Sequence, residues 1–219
     1  MKKENKFYRG IKKFFSGLAK RIFKVRIVNP HNEPLDKNFV VCCNHTSLMD
    51  VIVIASSLKN QVCFMAKKEV FKVPVLKSFA RAMGAFPVDR KNGDVGAIKK
   101  TIEILKDGSC VGIFPQGTRC PYENPRQTPI KDGIGMVAQR AGVGILPVAI
   151  RTRAGKLKLF KQTEFVVGKM IYPEELSLEG THKEQHTQIT RLAFDRVCDM
   201  LEKPMATKNT KILKSKEEK

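Results

Sequence analysis

The chain has 219 residues, 42% of them hydrophobic and 28% charged, which suits one sizeable domain with a buried core and excludes a disordered chain. Forty-one Lys and Arg against 21 Asp and Glu leave a formal net charge of +20. Such an excess points to anionic partners: nucleic acid, anionic lipid, or acidic proteins and substrates.

Residues 1–26, MKKENKFYRGIKKFFSGLAKRIFKVR, hold ten Lys and Arg and a single acid, Glu4. Phe7, Ile11, Phe14, Phe15, Leu18, Ile22 and Val25 recur at helical spacing and form one apolar stripe, with basic residues around the rest of the circumference. Lysines interrupt the apolar runs, so none is long enough to span a bilayer, and with no small-residue cleavage site following, a signal peptide is not expected. The segment 1–24 reads as a helix lying on an anionic membrane surface, where each basic residue adds ~1 kcal/mol. An amphipathic helix docked on its own domain is the plainer alternative.

From Val25 onward, short apolar runs alternate with helical segments. Strands are predicted at Val25–Val28, Phe39–Cys43, Val62–Ala66, Ala85–Val88, Val111–Phe114, Ile145–Arg151 and Phe165–Ile171. Helices are predicted at Ser47–Leu58, Val75–Met83, Asp94–Lys106 and Asp132–Ala141, and a final one at Lys183–Leu201. Gly108 and Gly142 fall just past two of them, where a left-handed cap is expected. The alternation predicts an α/β domain over 25–203, a single mixed sheet of about seven strands covered by helices and preceded by the amphipathic segment. Residues 204–219 form a Lys-rich tail expected to be disordered. Pro87, Pro115 and Pro147 are expected to shape strand ends and loops.

The six cysteines match no ligand spacing, Cys42 and Cys43 being adjacent, and read as buried reduced thiols of a cytosolic protein. His182 and His186 stand four apart but lack a third ligand, and read as a solvated helix surface. No Walker loop, dinucleotide fingerprint or His/Cys cluster is present, so neither a metal nor a cofactor is expected.

The stretch NHTSLMD, Asn44 to Asp50, lies where a strand gives way to a helix. Ser47 as N-cap with Asp50 three residues on is a capping-box-like pair, and it explains both without His45. On an ideal helix five residues separate side chains by about 140°, so His45 and Asp50 meet only if His45 precedes the helix. Asp50 then accepts from one imidazole nitrogen and leaves the other as a base. That is the His–Asp half of a triad whose nucleophile is a substrate hydroxyl. Spacing alone leaves cap and dyad both open.

Three further blocks follow: GAFPVDR (Gly84–Arg90), FPQGTR (Phe114–Arg119) and ILPVAI (Ile145–Ile150), with AKKEVFKVP (Ala66–Pro74) between the first two. In this order and spacing the chain resembles the 1-acylglycerol-3-phosphate (lysophosphatidic acid) acyltransferase family from about Val25 to Ile171. The resemblance implies a glycerol-phosphate acyltransferase-like fold. It also implies transfer of an acyl chain from a thioester to the sn-2 hydroxyl of lysophosphatidic acid, giving phosphatidic acid. His45 and Asp50 become the catalytic pair, since a positioned histidine base contributes ~10²–10⁴-fold. The backbone N–H groups beside Thr46–Ser47 are candidate oxyanion donors. Arg90 and Arg119, and by resemblance Lys67, are candidates to hold the acceptor's phosphate. Gly117 lets the backbone approach a ligand.

Two departures stand out. The region before the first block is short, with room for one interfacial helix. Gln116 replaces the glutamate of the family's FPEGTR, and the resemblance places it beside the acceptor. The expected co-substrate is acyl-CoA or acyl carrier protein, and the expected location a peripheral one on the cytoplasmic face of a membrane. Glycerol 3-phosphate or another lysophospholipid as acceptor, or a non-catalytic anionic-lipid-binding relative, remain alternatives. Nucleic acid is disfavoured, because no recognition element accompanies the charge.

Overall fold

The computed structural model describes Gly17 and residues 21–82, 84–88 and 95–205. The amphipathic segment and the Lys-rich tail lie almost wholly outside these residues, as do Met83 and 89–94 with Arg90. Seven strands form one mixed sheet: β1 (Val25–Val28), β2 (Phe39–Cys43), β3 (Val62–Lys67), β4 (Phe86–Val88), β5 (Cys110–Ile113), β6 (Gly144–Thr152) and β7 (Thr163–Val167), in the order β1-β7-β6-β2-β5-β3-β4. Neighbouring strands are parallel except β6 and β7, which form a hairpin. Five α-helices accompany them among the described residues: α1 (Asp50–Ser57), α2 (Pro74–Ala82), α3 (Val95–Lys106), α4 (Gly133–Ala141) and α5 (His182–Glu202).

Strand β2, FVVCC, is buried at every position, the pattern of a parallel strand covered on both faces. Its side chains alternate between two cores. Phe39, Val41 and Cys43 pack with Val53 and Ile54 of α1 and with Leu58 just past its end, while Val40 and Cys42 pack with Ile134 and Val137 of α4 and Ile189 and Val197 of α5. The parallel strands β2, β3, β4, β5 and β6 end on the same edge of the sheet, where open α/β sheets place their sites. All six cysteines are buried and free.

The caps explain where helices stop and start. Gly142 ends α4 at φ 64°, its N–H donating to Ala138 and Gln139. Gly108, at φ 84°, follows α3 in the same way. Thr181 and Glu184 form a reciprocal capping box at the start of α5.

Several expectations are corrected. The helix after β2 begins at Asp50, not Ser47, and has no side-chain cap; Ser47 Oγ accepts from the N–H of Met49 instead. Strand β7 stops at Val167, and Ile171 returns only as an isolated bridge to Ile145. Pro147 is no strand end: it sits inside β6, opposite Cys42 of β2. Its missing donor falls on the β7 side, between the Val148–Val167 pair and the Ile145–Ile171 bridge, where the ladder is already interrupted. Pro87 likewise lies inside a strand, the edge strand β4, where a missing donor is tolerated. His186 is buried rather than solvated, because α5 approaches α4 closely there. A Cβ added at Gly135 would stand 2.2 Å from the His186 carbonyl oxygen.

Candidate active site

The turn between β2 and α1 is pinned before it begins. Asn44 accepts the N–H of Ile150 at 2.9 Å and donates to the carbonyl of the same residue at 3.1 Å. Its side chain thereby imitates one more residue of ladder to β6. Cys43, next to it, is no rival nucleophile: burial, then the neighbouring Asp50 and Cys42, push its thiol well above the usual range.

The chain then turns His45 back over Asp50, with Nδ1 2.9 Å from Oδ2. Oδ2 also accepts the N–H groups of Thr46, at 2.7 Å, and Ser47, at 2.8 Å. Asp50 has no exposed surface, so this one oxygen gathers the turn and fixes the ring nitrogen that faces it. With Asp50 as acceptor, Nδ1 carries the proton and Nε2 is left with its lone pair. The amides of Thr46 and Ser47, expected as oxyanion donors, are bonded to Asp50 in this structure.

Three further contacts immobilise His45. Its ring stacks on Phe114 at 4.0 Å between centroids and 15° between planes. Its carbonyl accepts the N–H of Cys120 at 2.8 Å. Its own N–H donates to Oε1 of Gln116 at 2.8 Å. Gln116 Nε2 in turn donates to Thr128 Oγ1 at 2.9 Å, and Thr128 donates to the carbonyl of Pro125. Gln116 is only 5% exposed. It is thus a strut beneath the histidine, and it is not among the residues lining the recess beside this turn.

A polar recess of about 430 Å³ opens beside this turn, lined by Thr46, Ser47, Thr118, Arg119, Pro121, Lys156 and Leu157. Gly117, at φ 68°, is the left-handed turn that swings Thr118 and Arg119 out to it. Arg119 is therefore brought to the site. Lys67 is exposed at the end of β3, on the same edge of the sheet, and is not among the residues lining the recess. Among the described residues no cluster of His, Cys, Asp and Glu is suited to hold a metal.

Sequence reasoning missed Asn44, Phe114, Thr128 and Lys156. Asn44 carried a usable signal, a polar residue directly after a fully apolar strand. Lys156 carried none, for it reaches the recess only through the β6–β7 hairpin, where Gly155 accepts the N–H of Tyr122.

A family model described as Acyltransferase matches residues 24–151, more than half the chain. This chain belongs to the acyltransferase family. It is 32% identical to the 1-acyl-sn-glycerol-3-phosphate acyltransferase of Bacillus subtilis, over 80% of this chain and 87% of that protein. It is 30% identical to a chloroplastic 1-acyl-sn-glycerol-3-phosphate acyltransferase of Arabidopsis thaliana, over 66% of this chain but only 41% of that longer protein. The fold is similar to the crystal structure of the 1-acyl-sn-glycerophosphate acyltransferase of Thermotoga maritima, with a TM-score of 0.63 and 25% identity, covering 89% of this chain and 83% of that one. The chain is accordingly an O-acyltransferase, and the four sequence blocks all fall on the family's domain.

Proposed function

We infer that this acyltransferase moves a fatty acyl chain from an acyl thioester to the sn-2 hydroxyl of 1-acylglycerol 3-phosphate, making phosphatidic acid. The observation that carries the reading is the His45 Nδ1–Asp50 Oδ2 contact of 2.9 Å, held beside a recess that bears Arg119. The names of the Bacillus and Thermotoga relatives support the choice of acceptor.

Asp50 holds the tautomer in which Nε2 of His45 is the base. Nε2 takes the proton of the sn-2 hydroxyl as its oxygen attacks the thioester carbonyl carbon. The tetrahedral intermediate collapses with cleavage of the C–S bond, and the imidazolium returns its proton to the departing thiolate. The products are an ester and a free thiol, and no acyl-enzyme forms. The guanidinium of Arg119 and the ammonium of Lys156 hold the acceptor's phosphate in register, the first as a fork and the second as a point charge. The donor is acyl-CoA or acyl carrier protein, whose acidic surface suits a charge of +20. The reaction runs at the cytoplasmic face of a membrane, to which the basic segment 1–24 attaches the enzyme; among the described residues no helix is long and apolar enough to cross one.

The test is thiol release from acyl-CoA and from acyl carrier protein with lysophosphatidic acid, glycerol 3-phosphate or another lysophospholipid as acceptor. Release that depends on lysophosphatidic acid supports the reading. Faster release with glycerol 3-phosphate reassigns the acceptor, and none with any acceptor makes the chain a lipid-binding relative.

A further inference from the structure

Beyond Lys156, the tip of the β6–β7 hairpin carries a feature the reaction does not use. From Arg151 to Lys161, RTRAGKLKLFK, it holds five basic residues and no acid. Leu157 is rooted in the core that contains Phe39 and α1, yet Leu159 and Phe160 are 60% and 64% exposed. Phe160 has φ 59°, the left-handed region that a bulky side chain occupies only when its surroundings fix it there. What fixes it is its own N–H, which donates to the carbonyl of Ile22 at 2.6 Å. The tip is therefore tied to the end of the basic N-terminal segment.

Single exposed hydrophobic residues need no explanation, but a gathering of them does. Eight large hydrophobic side chains are exposed among the described residues, and five of them are Leu48, Met49, Tyr122, Leu159 and Phe160. Each of the five lies within three residues of Ser47, Pro121 or Leu157, which line the recess. The apolar exposure thus gathers on the turns that supply the recess, and at the hairpin it is interleaved with lysines.

We propose that the tip of the β6–β7 hairpin is a lipid-surface contact: Leu159 and Phe160 enter the boundary between headgroups and acyl chains, and Lys158 and Lys161 lie among anionic headgroups. The partner is a bilayer rather than a protein for two reasons. Two side chains fall far short of the about 800 Å² per partner that a stable protein interface buries. Alternating lysines on flexible stems match a diffuse anionic surface without needing fixed partners. The contact faces the recess mouth toward the lipid phase, so that a lysophospholipid reaches His45 without crossing water. This consequence rests on the acceptor inferred above; the lipid contact itself does not.

The chain contains no tryptophan, so Phe160→Trp in the full-length protein is a single reporter, with Leu159→Trp as a second should the first fail to fold. The probe is a vesicle of equimolar phosphatidylglycerol and phosphatidylcholine. The expected result is a blue shift of tryptophan emission when vesicles are added, with quenching by lipids brominated high on the acyl chains. In parallel, Leu159→Ser with Phe160→Ser should weaken co-sedimentation by at least ~10-fold, while thiol release with a water-soluble short-chain acceptor stays unchanged. Co-sedimentation with both tryptophans still in water overturns the proposal, as does absence of any co-sedimentation. Emission already blue before vesicles are added also overturns it, by showing that another part of the chain covers the tip. Absent thiol release from the unmodified protein would sink the acyltransferase reading and leave the fluorescence result standing.

Discussion

The side-chain carbonyl of Gln116 accepts the backbone N–H of His45 at 2.8 Å across 71 residues of chain, so the loop after β5 sets where the imidazole stands. Removing the amide leaves a half-buried N–H without this partner and the turn free to shift, and a misplacement of about 1 Å costs ~10²-fold in rate. Gln116→Ala should therefore lower kcat by ~10–100-fold with little change in the acceptor's KM. Gln116→Glu keeps the acceptor for His45, and the Thr128 hydroxyl can turn to donate to the new carboxylate. It should stay within several-fold of the parent in both constants. Steady-state kinetics at saturating donor decide; a large rise in KM for Gln116→Ala would return the residue to the acceptor site.

Arg119 and Lys156 reach the recess from different elements, one from the loop after β5 and the other from the hairpin. A hydrogen bond to a charged group is worth about 1.5–3 kcal/mol, so Arg119→Ala should raise the KM for lysophosphatidic acid by ~10–100-fold. Lys156→Ala should raise it by less, since an ammonium does not form a fork. The KM for the thioester should hardly move in either variant. Equal losses toward both substrates would place these cations at the donor.

Glu164 is fully buried between Arg151 and Arg26. Burial works to raise its carboxyl, but the hydrogen bonds from Arg151 and Arg26 outweigh it and hold the group below the usual range. A depressed carboxyl contributes stability that is present above the unfolded value of ~4 and is lost as pH falls through the lower folded value. Arg151 also donates to the carbonyls of Met200 and Lys203, so the ion pair anchors the end of α5. Glu164→Gln leaves buried guanidinium charge uncompensated and should cost ~3–5 kcal/mol at pH 7, with a shallower loss of stability below pH 4. Chemical denaturation at the two pH values measures both effects.

The contact of α4 with α5 predicts a pH effect of the opposite kind of group. Burial first, then Arg140 and His182, hold His186 below its usual value, against a smaller opposing pull from Asp132. A histidine kept neutral stabilises the fold fully above ~6.5, and that contribution fades as pH falls from there toward the folded value. The Tm should drop between pH 7 and 5, and His186→Gln should flatten the drop. Gly135→Ala pushes a methyl group into the His186 carbonyl and should cost up to ~3 kcal/mol. A Tm unchanged by Gly135→Ala would show that the helices can part freely.

Much of this was legible in the chain itself. The apolar runs of β1 and β2 announced their bounds to the residue, because β2 is buried at every position, β1 is half-buried, and polar residues flank both. The start of α1 was misplaced because Ser47 and Asp50 carry a local capping pattern that the fold overrides: Asp50 turns its carboxylate to His45 and the preceding amides. Pro147 misled for a related reason, since proline is tolerated inside a strand only where the ladder already breaks, and that break depends on Ile171 lying opposite Ile145. Helical geometry set only the condition under which His45 meets Asp50, that the histidine precede the helix, and left cap and dyad both open, whereas Gln116, Thr128 and Lys156 act across long stretches of chain that no local pattern encodes.

The central claim is that Nε2 of His45 is the base, and the most direct measurement is the turnover of His45→Ala. The ring is partly exposed, and the backbone bonds of the turn to Asp50, Gln116 and Cys120 do not depend on it, so the variant should keep the parent's fold and nearly its Tm. Thiol release dependent on lysophosphatidic acid should fall by at least ~10²–10⁴-fold, with the affinity for the acceptor retained. A folded His45→Ala protein that turns over within a few-fold of the parent would contradict the account and leave NHTSLMD as a structural turn.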